Sequence, residues 1–375
     1  MAVTRSDTSV LGRWWWGVDR WTLVALMSLV FIGYVMMLSA SPAVAERIGA
    51  ASRYAFILRQ VLWSSIAVAA MVATSMLTPR WVFRMAALGS VGALLLTAGT
   101  LALSPEINGA RRWLILPGMS LQPSEFLKPC IAVACGWLIA EGRRSRRFPG
   151  LVIAFVLIAL VAVILKRQPD IGMLAVIVFV FLAQAFVSGI NLALVGIGAA
   201  GVAGLGMLAY TLHGHVRQRI NAFLDADNLH FQVRMSLEAF GNGGLTGRGP
   251  GEGRVKDVLP DAHTDFVFPV VAEEFGLVMC LFVVAVFAFV VLRGLLRLVD
   301  ERDMAVALAA TGLLTQFGLQ AFINMGSSLH LIPTKGMTLP FVSYGGSSAV
   351  ALALGMGFLL ALTRRRISRL GDAER

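Results

Sequence analysis

The sequence predicts an all-α polytopic membrane protein, and three observations carry that prediction. Of its 375 residues, 57% are hydrophobic and only 14% charged, whereas a soluble domain carries about 25% charged residues. The mean hydropathy is +0.77. Apolar windows of about 20 residues recur along the chain, each enough to cross ~30 Å of hydrocarbon.

Taken in order, ten windows fall at roughly 22–41, 56–77, 81–103, 122–140, 149–166, 168–187, 190–212, 266–292, 305–328 and 338–362. Arg5, Arg13 and Arg20 precede the first, and Arg80 and Arg84 follow the second. The run Arg143–Arg147 follows the fourth; Arg293, Arg297 and Arg302 follow the eighth, and Arg364 opens a basic tail after the tenth. With ten spans all these clusters share one face, which the positive-inside rule makes cytoplasmic along with both termini. Losing one span would scatter them. The expected organisation is a tail over 1–21, seven helices over 22–212, a long extracytoplasmic loop over 213–265, three helices over 266–363 and a tail over 364–375.

Smaller signals fit this plan. Trp14–Trp16 reads as an interfacial anchor. "SASPAVA" ends like a signal-peptide cleavage site, but the apolar run before it is longer than a usual signal core, so retention is expected. The formal charge of +11 follows membrane topology in its placement and does not point to nucleic acid. Cys130, Cys135 and Cys280 sit within apolar windows without metal-ligand spacing and read as packing residues.

Polar groups inside or beside the windows need a reason, because ionisable residues in membranes are functional candidates by default. Glu125 and Lys128 are three apart and share a helix face; they either neutralise each other at the interface or face a polar cavity that supports a site. Asp170, in "RQPDIG", is placed to cap the helix that follows. The glycine-rich "GNGGLTGRGPGEGR" lacks the Gly-Lys-Ser/Thr ending of a nucleotide loop and reads as a turn with unusual backbone angles. Arg217, Arg219, Arg234, Arg248, Arg254, Lys256 and Lys335 lie on the outer side. Ordinary solvated charge accounts for most of them, although a basic lining would suit an anionic lipid head group.

The stretch "LPDAHTDFVFPVVAEEFG" concentrates the puzzle. Asp265 either caps the eighth helix or serves as a general base at the membrane boundary. Glu273 and Glu274 lie about two turns deeper, Glu273 nearer the face of Asp265 and Glu274 turned toward another span. Both are possible structural carboxylates within the membrane.

Five ordered motifs then resemble one family: "NGARRWL" from Asn108, "QPSEFLK" from Gln122, "RQPDIG" from Arg167, "AHTDFVFPVVAEEFG" from Ala262 and "PTKGMTLPFVSYGGSS" from Pro333. Over nearly its whole length the chain is similar to the SEDS proteins, and to their division members more than their elongation members. The resemblance implies a ten-helix bundle with a long extracytoplasmic loop between helices seven and eight. It implies a peptidoglycan glycosyltransferase that polymerises lipid II at the outer face of the bacterial inner membrane, working at the septum with a class B penicillin-binding transpeptidase and other divisome membrane proteins. It also implies Asp265 as the catalytic carboxylate, with Glu125 and Lys128 lining a central cavity. Arg111, Arg112, His263, Arg217, Lys335 and Ser343 join these two as candidates for substrate binding or cavity support. Two departures are mild: Asp261 stands where many relatives carry Glu, and Pro269 falls early in the eighth helix, where proline is tolerated.

An α-linked lipid diphosphate donor and a β-1,4 glycan product require inversion, hence one base and neutralisation of the leaving diphosphate. Arginines, Lys335 or a divalent cation (Mg or Mn) would supply the second. The competing expectations are a lipid II flippase, an elongation-type polymerase, or a scaffold whose partner holds the activity.

Overall fold

The structure, a computed structural model, describes residues 9–47, 54–106, 109–116, 119–145, 147–190, 192–212, 214–225 and 229–364. Asn108 and the side chain of Arg219 lie outside the described residues. A short helix α1 (Val10–Gly17) carries the tryptophan triplet and leads into α2 (Arg20–Arg47), α3 (Ala55–Ser75) and α4 (Pro79–Leu103). An antiparallel pair, β1 (Leu114–Leu116) and β2 (Met119–Leu121), sets Ile115 opposite Ser120. There follow α5 (Pro123–Arg144), α6 (Gly150–Arg167), α7 (Ile171–Val187) and α8 (Leu192–Leu212). Three helices stand where the sequence reading placed a loop: α9 (Gly214–Leu224), α10 (Phe231–Gly243) and α11 (Val255–Val258). The chain closes with α12 (Val267–Leu298), α13 (Met304–Ser328) and α14 (Gly346–Leu362).

Each predicted apolar window overlaps a helix. Among the described residues, α3, α4, α6, α12 and α13 and the Arg20–Pro42 part of α2 are long and apolar enough to cross a membrane, while α7 and α14 are apolar but shorter. The tenth window is corrected at its start, because α14 begins only at Gly346. Pro340 lies in the way, and the Gly345–Gly346 pair favours irregular backbone over helix just ahead of α14.

Burial sorts the helices into a centre and a rim. From Pro123 to Ala140 every residue of α5 except Phe126 and Trp137 is buried, and α5 packs against α4, α6, α7, α13 and α14. Small residues make this possible, since lipid tails give helices little hydrophobic reason to associate and close van der Waals approach must do so. At Gly136 an added Cβ would stand 2.6 Å from the Ala309 backbone nitrogen, so α5 and α13 meet almost backbone to backbone. The rim turns outward Leu58, Leu62, Leu88, Leu95 and Phe155, an apolar surface suited to hydrocarbon.

One end of the bundle is stitched by charge. Asp19, 2% exposed, accepts from Arg293 Nε at 2.7 Å, faces Arg297 Nε at 2.9 Å and accepts from Thr22 Oγ1 at 2.8 Å. Burial alone would raise the Asp19 pKa, but the two arginines and Thr22 outweigh it and hold the carboxyl below its usual value. Beside α1 and α2, Trp14 Nε1 donates to Ser75 Oγ at 2.8 Å, and Arg364 donates to the Met76 carbonyl at 3.3 Å. The turn after α3, the C-terminal end of α12 and the end of α14 therefore gather here.

At its other end α12 is broken. Gly276 has φ 73° and ψ −175° in the midst of helical residues, a conformation that favours glycine. Val267 to Glu274 are buried in protein, and the exposed apolar residues Leu277, Val278, Leu281 and Phe282 begin just past the break. Leu277–Leu298 is about 33 Å at 1.5 Å per residue, enough to span the hydrocarbon by itself.

Candidate active site

The site is organised by the non-helical stretch between α13 and α14, which the prolines and glycines of "PTKGMTLPFVSYGG" keep irregular. Its Lys335 Nζ lies 3.2 Å from Asp170 Oδ1. Asp170 caps α7 as its sequence position foretold, accepting from the Met173 amide at 3.2 Å. Its other oxygen stands 3.5 Å from Arg112 Nη1, and Arg112 is held by the carbonyls of Gln168 at 3.0 Å and Pro169 at 2.6 Å. Capping residue and ion-pair partner are thus one carboxylate. Gly172 admits this geometry: the Lys335 side chain lies across it so closely that any side chain there would overlap the lysine's end. Burial pushes the Lys335 pKa below its ordinary value; Asp170 pulls it back up, and the nearby charges of Lys128 and Arg112 push it further down.

Asp265 meets the same stretch one residue along. An added Cβ at Gly336 would sit 2.6 Å from Asp265 Oδ2, so the carboxylate rests on the glycine's bare backbone. Asp265 is half-buried and Gly336 exposed, which leaves the carboxylate reachable. Asn324 fixes both strands of this contact, donating from Nδ2 to the Asp265 carbonyl at 2.8 Å and to the Met337 carbonyl at 2.6 Å. The capping alternative for Asp265 is not what forms: the cap position before α12 is taken by Phe266, which makes no side-chain capping bond.

Glu125 and Lys128 form their i,i+3 pair at 2.9 Å, both buried. Lys128 Nζ also donates to Gln320 Oε1 at 3.0 Å. Gln320 Nε2 reaches the Thr338 carbonyl at 3.1 Å, and Thr338 pairs with Ser348 at 2.9 Å. A polar chain therefore runs from α5 through α13 into the stretch that holds Lys335 and Gly336. On its inner side Lys128 lines a narrow cavity with Ile131, Cys135, Val180, Gln184 and Gln316; Glu125 is not on its wall.

The remaining candidates divide. His263 stacks with Phe56 and Tyr344 at centroid distances of 5.1 and 5.5 Å, and its carbonyl accepts from the Tyr344 amide at 2.8 Å; it ties the Asp265 turn to the α13–α14 stretch. Ser343 is buried and its Oγ accepts from the Leu339 amide at 2.8 Å, shaping a turn. Asp261, at φ 56°, closes the turn before Asp265 through its carbonyl. Arg111 is half-exposed and faces Glu106 at 3.9 Å, and Arg217 is exposed with its guanidinium 6.0 Å from the Tyr210 ring; neither is bonded to the Asp265–Lys335–Asp170 cluster in these contacts.

Glu273 and Glu274 acquire the partners that the sequence left open, and most come from the supposedly solvated outer loop. Glu274 Oε1 lies 2.7 Å from Lys256 Nζ and also accepts from Ser39 Oγ of α2. Glu273 accepts from the Val255 amide at 3.0 Å and faces Arg248 at 3.6 Å. The solvated reading of Lys256 is therefore corrected, while Arg248 stays exposed as it faces Glu273: uncompensated burial of two carboxylates would be expensive, and the loop folds down to neutralise them. Gly244, Gly247, Gly249 and Gly251 all take positive φ, as expected for the glycine-rich turn.

Among the described residues no group of three or more His, Cys, Asp or Glu assembles that could hold a metal. Asp170 and Glu125 already face cations, so these donors do not fit a divalent site made by protein alone.

A family model described as "Cell cycle protein", covering FtsW, RodA and SpoVE, matches residues 20–367. The chain belongs to the FtsW/RodA/SpoVE family. Among named relatives of this FtsW/RodA/SpoVE member, the "Probable peptidoglycan glycosyltransferase FtsW" of Caulobacter vibrioides is 42% identical over 367 residues, covering 97% of this chain and 94% of the relative. The protein of the same name in Geobacter metallireducens is 34% identical over 93% of this chain and 96% of its own. A chain from a peptidoglycan synthase complex, solved in work on the coordination of polymerization and crosslinking, superposes with TM-score 0.77 at 27% identity, over 92% of this chain and 97% of that one. The rod shape determining protein RodA of Thermus thermophilus gives TM-score 0.70 at 26% identity, over 93% and 97%. The resemblance carried by the five motifs is borne out.

Proposed function

We propose that this chain is a peptidoglycan glycosyltransferase that polymerises lipid II into β-1,4 glycan strands during cell division. The observation that carries the chemistry is the half-buried Asp265 carboxylate resting on Gly336, next in sequence to Lys335. The acceptor sugar's 4-hydroxyl oxygen attacks the donor's anomeric carbon while its bond to the diphosphate breaks, inverting that centre. Asp265 takes the hydroxyl proton as general base. Lys335, backed by Arg112, meets the charge growing on the diphosphate. Asp170 holds both cations in place until an anion arrives, since lysine and arginine would otherwise repel each other across the site.

Ten crossings with both termini cytoplasmic put this chemistry at the outer membrane face. The gathering of Asp19, Arg293, Arg297 and Arg364 at one end of the bundle supports that orientation, with Asp265 at the other end of α12. Lipid II and the nascent glycan are the substrates. A class B penicillin-binding transpeptidase is the proposed partner, supported by the likeness to a chain from a synthase complex, and other divisome proteins join at the septum.

The test is glycan synthesis from lipid II by the purified protein with its transpeptidase, comparing wild type with Asp265→Asn. Loss of polymer by about 10²–10⁴-fold is expected. Undiminished polymer from the variant would remove Asp265 from its role, and lipid II flipping without polymer would replace a polymerase with a flippase. Depletion in cells should give filaments; rounded cells would indicate an elongation role.

A further inference from the structure

The break in α12 is occupied by another part of the chain. In an unbroken helix the Leu277 and Val278 amides would donate to the carbonyls of Glu273 and Glu274. Here those four groups turn to the glycine-rich loop. Arg248 N donates to the Glu273 carbonyl at 2.9 Å and Gly249 N to that of Glu274 at 3.0 Å. Leu277 N reaches the Gly244 carbonyl at 2.9 Å and Val278 N that of Leu245 at 3.2 Å. The loop backbone is spliced into the helix, and these four released groups are all bonded again.

The splice closes a ring. Starting at Gly244 the chain passes through α11, the turn with Asp265 and the part of α12 before the break, then returns to the splice at Gly276. Asp265 lies on this ring, whose small core of Val255, Leu259, Ala262, Phe266 and Val270 packs on Ala40 of α2 and Ala239 of α10. At the ring's neck Lys256 Nζ bonds Glu274 Oε1 at 2.7 Å, the Gly251 carbonyl at 2.8 Å and Ser39 Oγ at 3.1 Å. The Gly251 amide returns a bond to Glu274 Oε2 at 3.0 Å. Lys256 and Glu274 are 6% and 1% exposed, so water competes little for either.

We propose that Lys256 and Glu274, with Ser39, are positioning residues: their buried ion pair latches the neck of the ring and so holds Asp265 against Gly336. They touch the splice and not the reacting groups, and the catalytic consequence rests on the role of Asp265 proposed above. A misplacement of about 1 Å in a catalytic group lowers rate by about 10²-fold. Opening the latch therefore lowers turnover while the cations that bind the diphosphate stay where they were.

The experiment uses the full chain with its transpeptidase and lipid II, comparing wild type, Lys256→Met and Lys256→Arg, alongside amide hydrogen exchange. Lys256→Met is expected to reduce kcat by about 10²-fold with KM within about twofold of wild type, and Lys256→Arg to restore most of the rate. Amides of Arg248, Gly249, Thr264 and Phe266 should exchange about tenfold faster in the Met variant, while those of α5 and α13 keep wild-type protection. Unchanged kcat, or a raised KM with kcat intact, overturns the proposal. If Lys256→Met does not fold, Ser39→Ala decides: a smaller fall in kcat with faster exchange at the neck supports the latch, and wild-type values refute it. Should the wild type make no polymer, the enzymatic reading falls, and the exchange measurements still decide whether the latch holds the Asp265 turn.

Discussion

The carboxylate of Asp265 rests on the backbone of Gly336, with 2.6 Å between Oδ2 and the position a Cβ would take. Both residues are fixed by one side chain, since Asn324 donates to the Asp265 carbonyl and to the carbonyl of Met337 beside Gly336. This contact makes the α13–α14 stretch part of the site. It also makes a methyl group at Gly336 a probe of the carboxylate's position.

Gly336→Ala should therefore reduce glycan synthesis by about 10²-fold with little change in thermal stability. Gly336 is exposed and no left-handed φ demands glycine there, so the effect comes from displacing Asp265. Polymerisation assays beside thermal melts in detergent check it; wild-type activity would show that the carboxylate works from elsewhere.

Lys335 depends on a different glycine. At Gly172 an added Cβ would overlap the end of the Lys335 side chain, so Gly172→Ala should push the ammonium away from Asp170. We expect Gly172→Ala and Lys335→Met to impair the same step, weakening lipid II binding by about tenfold each. Their combination should fall short of the product, because residues sharing a partner do not act additively. Titration with lipid II measures this, and fully additive losses would separate the two residues.

Asp19 gives a pH signature at the opposite end. Its pKa is lowered on folding because the arginines and Thr22 outweigh burial, so the folded state is favoured while the carboxyl is ionised. That stabilisation is present above the unfolded value of about 3.9 and is lost as pH falls through the lower folded value. Asp19→Asn should destabilise by about 2 kcal/mol near neutrality, less than a fully buried pair because both guanidiniums keep some contact with water. The gap between the two melting curves should close well below pH 4; a gap that persists there would mean the charge is not its source.

Much of the site left a local mark. Gln316, Gln320 and Asn324 recur every four residues along an apolar helix, a polar stripe that helical spacing alone could have singled out; two of them bind the Asp265 and Lys128 neighbourhoods. Asp170 was legible as a cap, because capping is decided within one turn. Its pairing with Lys335 was not legible, nor were the partners of Glu274. Lys256 resembled any outer-loop cation until the loop was seen folded into α12.

By itself the sequence determined the membrane class, the order of the apolar helices and the face that gathers arginine. These follow from composition and from periodicity within a window, which lipid and backbone geometry read locally. Only the tertiary structure decided that the α13–α14 stretch brings Lys335 and Gly336 to Asp170 and Asp265. It also decided that α12 breaks at Gly276, to be completed by a loop. A hydrogen bond released in a helix must be made again somewhere in a water-poor interior. Where it is made depends on which segment packing brings to the gap, and no short stretch of sequence contains that information.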